Sequence, residues 1–282
     1  VARALEPPPR SAARLGVLAA LVLVVSAGAL AFAMTRTPEA SLVCSGSDKE
    51  METVWSSERK AALTKALEAT GVPFASDAAR RTVAAVDVYT DAWRRMHRDA
   101  CEAANVRREQ SSAVLDRRMA CLTRRRAELD SLIKELETAD GDALEVATEG
   151  VRKLVPVERC AELDRLERAD RHPPAEVEAA VTAVRALLAR GRAQRDLRKS
   201  EAAIATAEQA LAQAKAAAFA PLVAEALVEL GRAHLANAEL EKARTASLEA
   251  ADIAESAGAD AAAASAGVLA LASGGKSAGK PE

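Results

Sequence analysis

The strongest constraint on this chain is an internal repeat. LLARGRAQRDLRKSEAAIATAEQA, residues 187–210, aligns without a gap on LVELGRAHLANAELEKARTASLEA, residues 227–250, at a period of 40 residues. Leu187 matches Leu227, Gly191 matches Gly231, Ala203 matches Ala243 and Ala210 matches Ala250. In each copy the two alanines follow the glycine at offsets of 12 and 19. Small residues that return at fixed offsets mark the places where two helices of one hairpin touch. Residues 176–272 are therefore expected as stacked helical hairpins, with a last helix near 260–272 closing the stack. Pro174 is placed to start the first of these helices.

Composition points the same way. Hydrophobic residues make up 50% of the chain, yet aromatics are only 2%. Ala, Leu, Arg and Glu dominate, which suits thin, closely packed helices. Alternating β-branched runs are absent beyond one apolar segment, so the expected class is all-α. A formal net charge of −2 with 28% charged residues leaves no basic excess to recruit nucleic acid.

That apolar segment is Leu15–Met34, twenty residues with no charge and Ser26 as its one polar side chain. A helix of this length covers about 30 Å, the thickness of the bilayer hydrocarbon. Arg3, Arg10 and Arg14 precede it, against Glu6, whereas Arg36 and Glu39 follow it. The positive-inside rule then places residues 1–14 in the cytoplasm and residues 35–282 outside. The competing reading is a cleaved signal peptide, since Ala31-Phe32-Ala33 fits an A-x-A site, but the run exceeds the usual h-region of about 7–15 residues. The expected organisation is a basic stub at 1–14, a transmembrane helix at 15–34, a disulfide-stapled helical region at 35–168, the repeats at 176–272 and a disordered tail at 273–282. The chain opens on Val1, and Pro7-Pro8-Pro9 reads as a stiff linker from something upstream.

Cys44, Cys101, Cys121 and Cys160 all follow the apolar segment. None forms a CxxC pair, and His97, His172 and His234 are scattered, so no metal site is expected and the histidines read as packing or solvated residues. An even number of cysteines in a non-cytosolic region favours two disulfides. Helices are expected over about 47–70, ended by Gly71-Val72-Pro73, and 76–104, with Val83, Val86, Val88, Trp93 and Met96 inward. A third should run from 111 or 112 to 138, carrying Leu115, Met119, Leu122, Leu129, Ile133 and Leu136 at heptad spacing with Arg126 at the gap. A fourth is expected over 142–154. Cys44 and Cys101 are equidistant from the Gly71-Val72-Pro73 turn, and Cys121 and Cys160 from Asp140-Gly141. Antiparallel hairpins would therefore pair Cys44–Cys101 and Cys121–Cys160; the rival pair Cys101–Cys121 is centred on Ser111 and stays open. Arg117, Arg118, Arg124, Arg125 and Arg126 alternate with acidic residues and read as a solvated helix face. Ser273-Gly274-Gly275-Lys276-Ser277 imitates the end of a phosphate loop, but its first glycine would fall at Ala270 with no preceding strand, so no nucleotide site is assigned.

The repeat resembles the tetratricopeptide repeat (TPR), whose small residues stand at the same offsets. It departs in its period, 40 rather than 34, with the extra length placed around Ala216–Pro221. It departs again in Gln194 and His234, where TPR aromatics are usual. Two copies are fewer than the three usually needed, so the preceding helices or a partner should cover an open face. The resemblance implies that Gly191, Ala203, Ala210, Gly231, Ala243 and Ala250 are the packing positions of a TPR-like α-solenoid.

A wider resemblance rests on the order of landmarks. These are the basic stub, the span, Cys44 with Trp55, Tyr89 with Trp93, Cys101-Glu102-Ala103, Gln110-Ser111, Arg118-Met119-Ala120-Cys121-Leu122, Cys160-Ala161 and the repeats. Together they resemble the C-terminal half of bacterial transmembrane serine/threonine protein kinases that carry an extracytoplasmic TPR region. That resemblance implies a cytoplasmic kinase domain ahead of the span, and an outer sensing module that binds a protein or peptide on its TPR surface. It also implies attachment to the bacterial cytoplasmic membrane through residues 15–34 and allows a homodimer. No Gly-rich loop, HRD or DFG motif occurs in this sequence, so no catalytic residue and no cofactor is assigned. The alternatives are a stand-alone membrane-anchored TPR scaffold and an exported helical binding protein.

Overall fold

A computed structural model describes residues 44–168 and 173–277. The stub at 1–14, the apolar segment Leu15–Met34 and His172 lie outside the described residues. Among the described residues there is no strand, and no helix is long and apolar enough to cross a membrane. The all-α expectation holds, and from Gly46 onward the described residues form one compact unit.

Six helices carry the first part: α1 Gly46–Glu52, α2 Ser57–Glu68, α3 Ala75–Asn105, α4 Ser112–Leu136, α5 Gly141–Arg152 and α6 Leu163–Arg168, with a 3-10 turn at Val157–Ala161. The single helix expected over 47–70 is broken at Thr53–Ser56. There Val54 and Trp55 turn inward, at 7% and 5% exposure. The Trp55 Nε1 donates to Asp87 Oδ1 at 2.9 Å, and Ser56 Oγ accepts from the Arg59 backbone N–H at 3.2 Å, capping the second helix. Burying a large aromatic and satisfying a new helix start together outweigh the propensity to continue. Ser111 and Asp140 cap α4 and α5 in the same manner.

Trp93 is fully buried at the centre of α3, and its Nε1 donates to the Leu122 carbonyl of α4 at 2.8 Å. Leu129, Ile133 and Leu136 are buried along α4, with Leu115 and Met119 half-buried, as the heptad spacing predicts. Val88 is a correction: it is 69% exposed. It lies two residues from buried Val86, about 200° around the helix, and so points the other way. The solvated arginine face needs correcting too. Arg118 is buried against Asp99 Oδ2 at 2.8 Å and Gln110 Oε1 at 3.1 Å, and Arg125 is buried against Glu128.

Cys121 on α4 is bonded to Cys160 in the 3-10 turn, with Cα atoms 5.6 Å apart. That bond rules out Cys101–Cys121. Cys44 and Cys101 are disulfide-bonded as well, and no cysteine is free.

Five helices follow: α7 Glu178–Asp196, α8 Ser200–Ala216, α9 Ala220–Ala236, α10 Leu240–Ser256 and α11 Asp260–Ser277. From α8 on, they start at 20-residue intervals. Each is joined to the next by a three-residue turn whose middle residue has positive φ: Arg198 at 61°, Ala218 at 50°, Ala238 at 58° and Gly258 at 61°. In three turns the last residue's N–H closes back on the carbonyl five positions earlier, as in Lys199 to Gln194 (2.8 Å), Glu239 to His234 (2.9 Å) and Ala259 to Ala254 (2.7 Å). This left-handed closure satisfies the orphan carbonyls of each helix end. The segment Ala216–Pro221 holds no longer connection than the others; the 40-residue period comes from two 17-residue helices and two such turns.

Residues 273–277, expected in a disordered tail, belong to α11. Ser273 is buried, and its Oγ donates to the carbonyls of Leu269 and Ala270 at 3.0 Å, tying the last turn to the helix. The rest of that tail, 278–282, is outside the described residues.

Candidate ligand groove and its ionic frame

Every helix from α7 to α11 packs on the next, and α9 also meets α7 on one side and α11 on the other. These alternate helices therefore make one continuous face, and a groove of about 680 Å³ opens on it. Leu235 from α9 and Ala264, Val268 and Ala272 from α11 give it an apolar floor; Arg195 from α7 and Arg232 from α9 stand over it. The small side chains of α11 leave this space, because an alanine stripe cannot fill the distance that a leucine stripe would.

The six small residues expected at packing positions all lie inside the stack. Ala203, Ala210, Ala243 and Ala250 are fully buried. A Cβ on Gly231 would stand 3.2 Å from the Ala243 carbonyl oxygen, 3.1 Å from Ser247 Oγ and 2.9 Å from Leu269 Cδ2. Gly191 has more room, with Ala203 O at 3.7 Å. The offset of 12 thus brings glycine and alanine backbones together in both hairpins. Gln194 and His234 occupy equivalent buried places. Gln194 accepts from Thr206 Oγ1 at 2.7 Å and donates to Glu135, while His234 Nδ1 lies 2.6 Å from Glu239 Oε2. Polar pairs here replace the ring contacts that aromatics would supply.

Behind the groove lies an ionic frame. Glu229 on α9 is 4% exposed and is surrounded by three guanidiniums. Arg192 Nε stands 3.0 Å from its Oε1, Arg195 Nη1 donates to its Oε2 at 3.0 Å, and Arg232 pairs with its Oε1. Burial alone would raise the Glu229 pKa, but Arg192, Arg232 and Arg195 outweigh it and hold the pKa at about 2. Arg192 reaches on to Glu128 of α4 at 3.3 Å, and Glu128 also takes Arg125. One heptad further along α4, Glu135 accepts from Arg190 Nε at 2.9 Å, Gln194 Nε2 at 3.1 Å and Lys199 Nζ at 3.2 Å. Arg195 also pairs with Asp196 at 3.2 Å. Around Glu229, then, the guanidiniums of Arg192, Arg195 and Arg232 converge on one buried carboxylate, and two of them, Arg195 and Arg232, also line the groove.

This frame joins the cysteine-bearing helices to the repeats, because α7 takes part in both. Its Ala193, together with Leu197 in the turn that follows it, belongs to the core around Trp93, whereas its Val181, Val184 and Leu188 belong to the core of the repeats. Sequence reasoning missed Glu128, Glu135, Arg192 and Glu229. Glu128 and Glu229 are 101 positions apart, and no local pattern marks the pairing. The one available signal was an acidic residue on an otherwise apolar stretch of α9, LVELG.

A second hollow, about 350 Å³, lies between α9 and α10 beside Leu230, His234 and Lys242. It is about half the size. Among the described residues no group of His, Cys, Asp or Glu is gathered that could hold a metal ion. No protein-family model, no curated protein and no solved structure matches the chain.

Proposed function

We infer that this chain is the extracytoplasmic sensing and protein-interaction region, with its membrane span, of a bacterial membrane-bound serine/threonine protein kinase. Its kinase domain is not in this sequence, and ligand binding falls to a TPR-like solenoid. The observation that carries the binding part is the groove on α7, α9 and α11. It is open and apolar-floored, and it is edged by the guanidiniums of Arg195 and Arg232. Such a site favours an extended or helical peptide that pairs an apolar side chain with a carboxylate. The kinase part rests on the order of sequence landmarks, above all Cys101 to Leu122. The membrane part rests on Leu15–Met34 and its three preceding arginines.

Selection of peptides on the full chain from a displayed random library tests the groove. The expected binders are apolar and acidic, and they are lost on Arg232→Glu and on Val268→Glu while binders elsewhere survive. Binders indifferent to both substitutions would overturn the groove assignment. The coding frame upstream of Val1 tests the enzyme: kinase motifs in frame support the receptor reading, whereas an immediate stop leaves the stand-alone scaffold.

A further inference from the structure

The two copies of the repeat differ at a place inside the stack. A shift of 40 residues carries Arg190, Gln194 and Thr206 onto Leu230, His234 and Ala246. In the first copy the place is full. Gln194 accepts from Thr206 Oγ1 at 2.7 Å and donates to Glu135 of α4 at 3.1 Å, and Arg190 donates to the same carboxylate at 2.9 Å. In the second copy a methyl stands for the threonine side chain and a leucine for the arginine, and the preceding helix α8 offers Leu211 rather than an acid. The hollow of about 350 Å³ opens there, with walls from α8, α9 and α10.

Leu211, Leu227, Leu230 and Ala246 make those walls apolar, and His234 supplies the polar group. The histidine is buried, at 7% exposure. Its Nδ1 lies 2.6 Å from Glu239 Oε2, and that bond, with help from Lys242, holds the Glu239 carboxyl below the ordinary carboxylate range. An ionised carboxylate only accepts, so Nδ1 carries the proton, and in the neutral imidazole Nε2 keeps a lone pair. Glu239 stands outside the wall, so the ring presents its other edge to the hollow. Nε2 meets no hydrogen-bond partner among the described residues, whereas Gln194, at the matching position, uses both ends of its amide. A lone pair held at the wall of an apolar hollow favours an occupant that carries a donor.

The rim selects against charge. Lys242 is engaged by Glu239 at 3.3 Å and Glu249 by Lys215 at 3.5 Å, while Glu241 stays exposed and repels a carboxylate. An ammonium would lose its hydration among three leucines. The volume falls within the range of about 300–1,000 Å³ usual for small-molecule sites. We propose that this hollow binds an uncharged small molecule with an apolar, ring-sized body and one hydroxyl, which donates to His234 Nε2. The site shares no residue with the groove on α7, α9 and α11, and it does not depend on peptide binding there.

The test uses the full chain with isotope-labelled leucine methyls and histidine nitrogens, titrated with para-cresol and with toluene, which lacks the donor. Para-cresol is expected to shift the methyl signals of Leu211, Leu227 and Leu230 in a saturable manner and to move the His234 Nε2 signal, which toluene leaves in place. His234→Phe keeps a ring in the wall and removes the lone pair. It should lower the ratio of the two affinities, para-cresol over toluene, by about fivefold, the worth of one net hydrogen bond, and taking the ratio cancels the difference in hydrophobicity. Thr245→Trp, on an exposed rim residue, should weaken both ligands by about tenfold or more by covering the mouth. Leucine signals that do not respond to para-cresol up to about 10 mM overturn the proposal. So does an Nε2 signal that para-cresol leaves unmoved, a readout on the unaltered chain that stands even where His234→Phe does not fold. Binding indifferent to Thr245→Trp overturns it as well, because the ligand then sits elsewhere.

Discussion

Arg192 Nε on α7 stands 3.0 Å from Glu229 Oε1 on α9, and the same guanidinium reaches Glu128 on α4 at 3.3 Å. One side chain thus ties the repeat helices to each other and to the helices stapled by the disulfides. A buried carboxylate among three guanidiniums is costly to break from one side, because the remaining charges stay buried without a partner.

Glu229→Gln is therefore expected to lower stability at pH 7 by roughly 3 kcal/mol, measured by urea unfolding. The pH dependence follows from the sign of the shift. The folded pKa, about 2, lies below the ordinary 4.5. The stabilisation is complete above the unfolded value and is lost as pH falls through the folded one. The gap between the two proteins should close between about pH 5 and pH 2. A gap that stays constant across this window would show that the charge on Glu229 does not supply it.

Two glycines at equivalent places should respond with opposite sign. Gly191→Ala adds a methyl at ordinary contact distance and relieves a helix-interior glycine, so thermal unfolding should show a gain of about 0.5–1 kcal/mol. Gly231→Ala presses on the Ala243 carbonyl and on Ser247, whose Oγ is held at 2.6 Å by that same carbonyl. It should lose about 1–2 kcal/mol.

The turns offer an independent gain. Ala218 and Ala238 sit at φ 50° and 58°, where only glycine is unstrained, and Gly258 already fills the matching place in the last turn. Ala218→Gly and Ala238→Gly should each raise stability by about 1 kcal/mol in denaturant titrations. No gain in either would mean that the extra freedom of glycine in the unfolded chain cancels the relief.

Non-reducing peptide mapping should recover a Cys121–Cys160 linked peptide and none joining Cys101 to Cys121. The bridge spans 39 positions, and replacing both cysteines by alanine should cost about 2–4 kcal/mol. A loss below about 0.5 kcal/mol would mean that the α4 packing alone holds the turn.

What the sequence determined by itself is local or periodic. Ser111 announces a helix start, because a short polar side chain next to an apolar run satisfies orphan N–H groups, and Asp140-Gly141 announces a turn. Cys121 and Cys160 lie symmetrically about Asp140-Gly141 because a hairpin sets equal distances from its turn. The period of 40 in Gly191, Ala203 and their partners reports helix contact because only small residues allow it. What tertiary structure alone decided depends on groups distant in sequence. The break at Ser56 exists because Trp55 finds Asp87. The burial of Arg118 and Arg125 exists because Asp99 and Glu128 face them. The groove and the place of α7 in two cores appear only when helices are stacked. Pairing of buried charges depends on which residues meet in space, and one chain's sequence carries that in no repeating pattern.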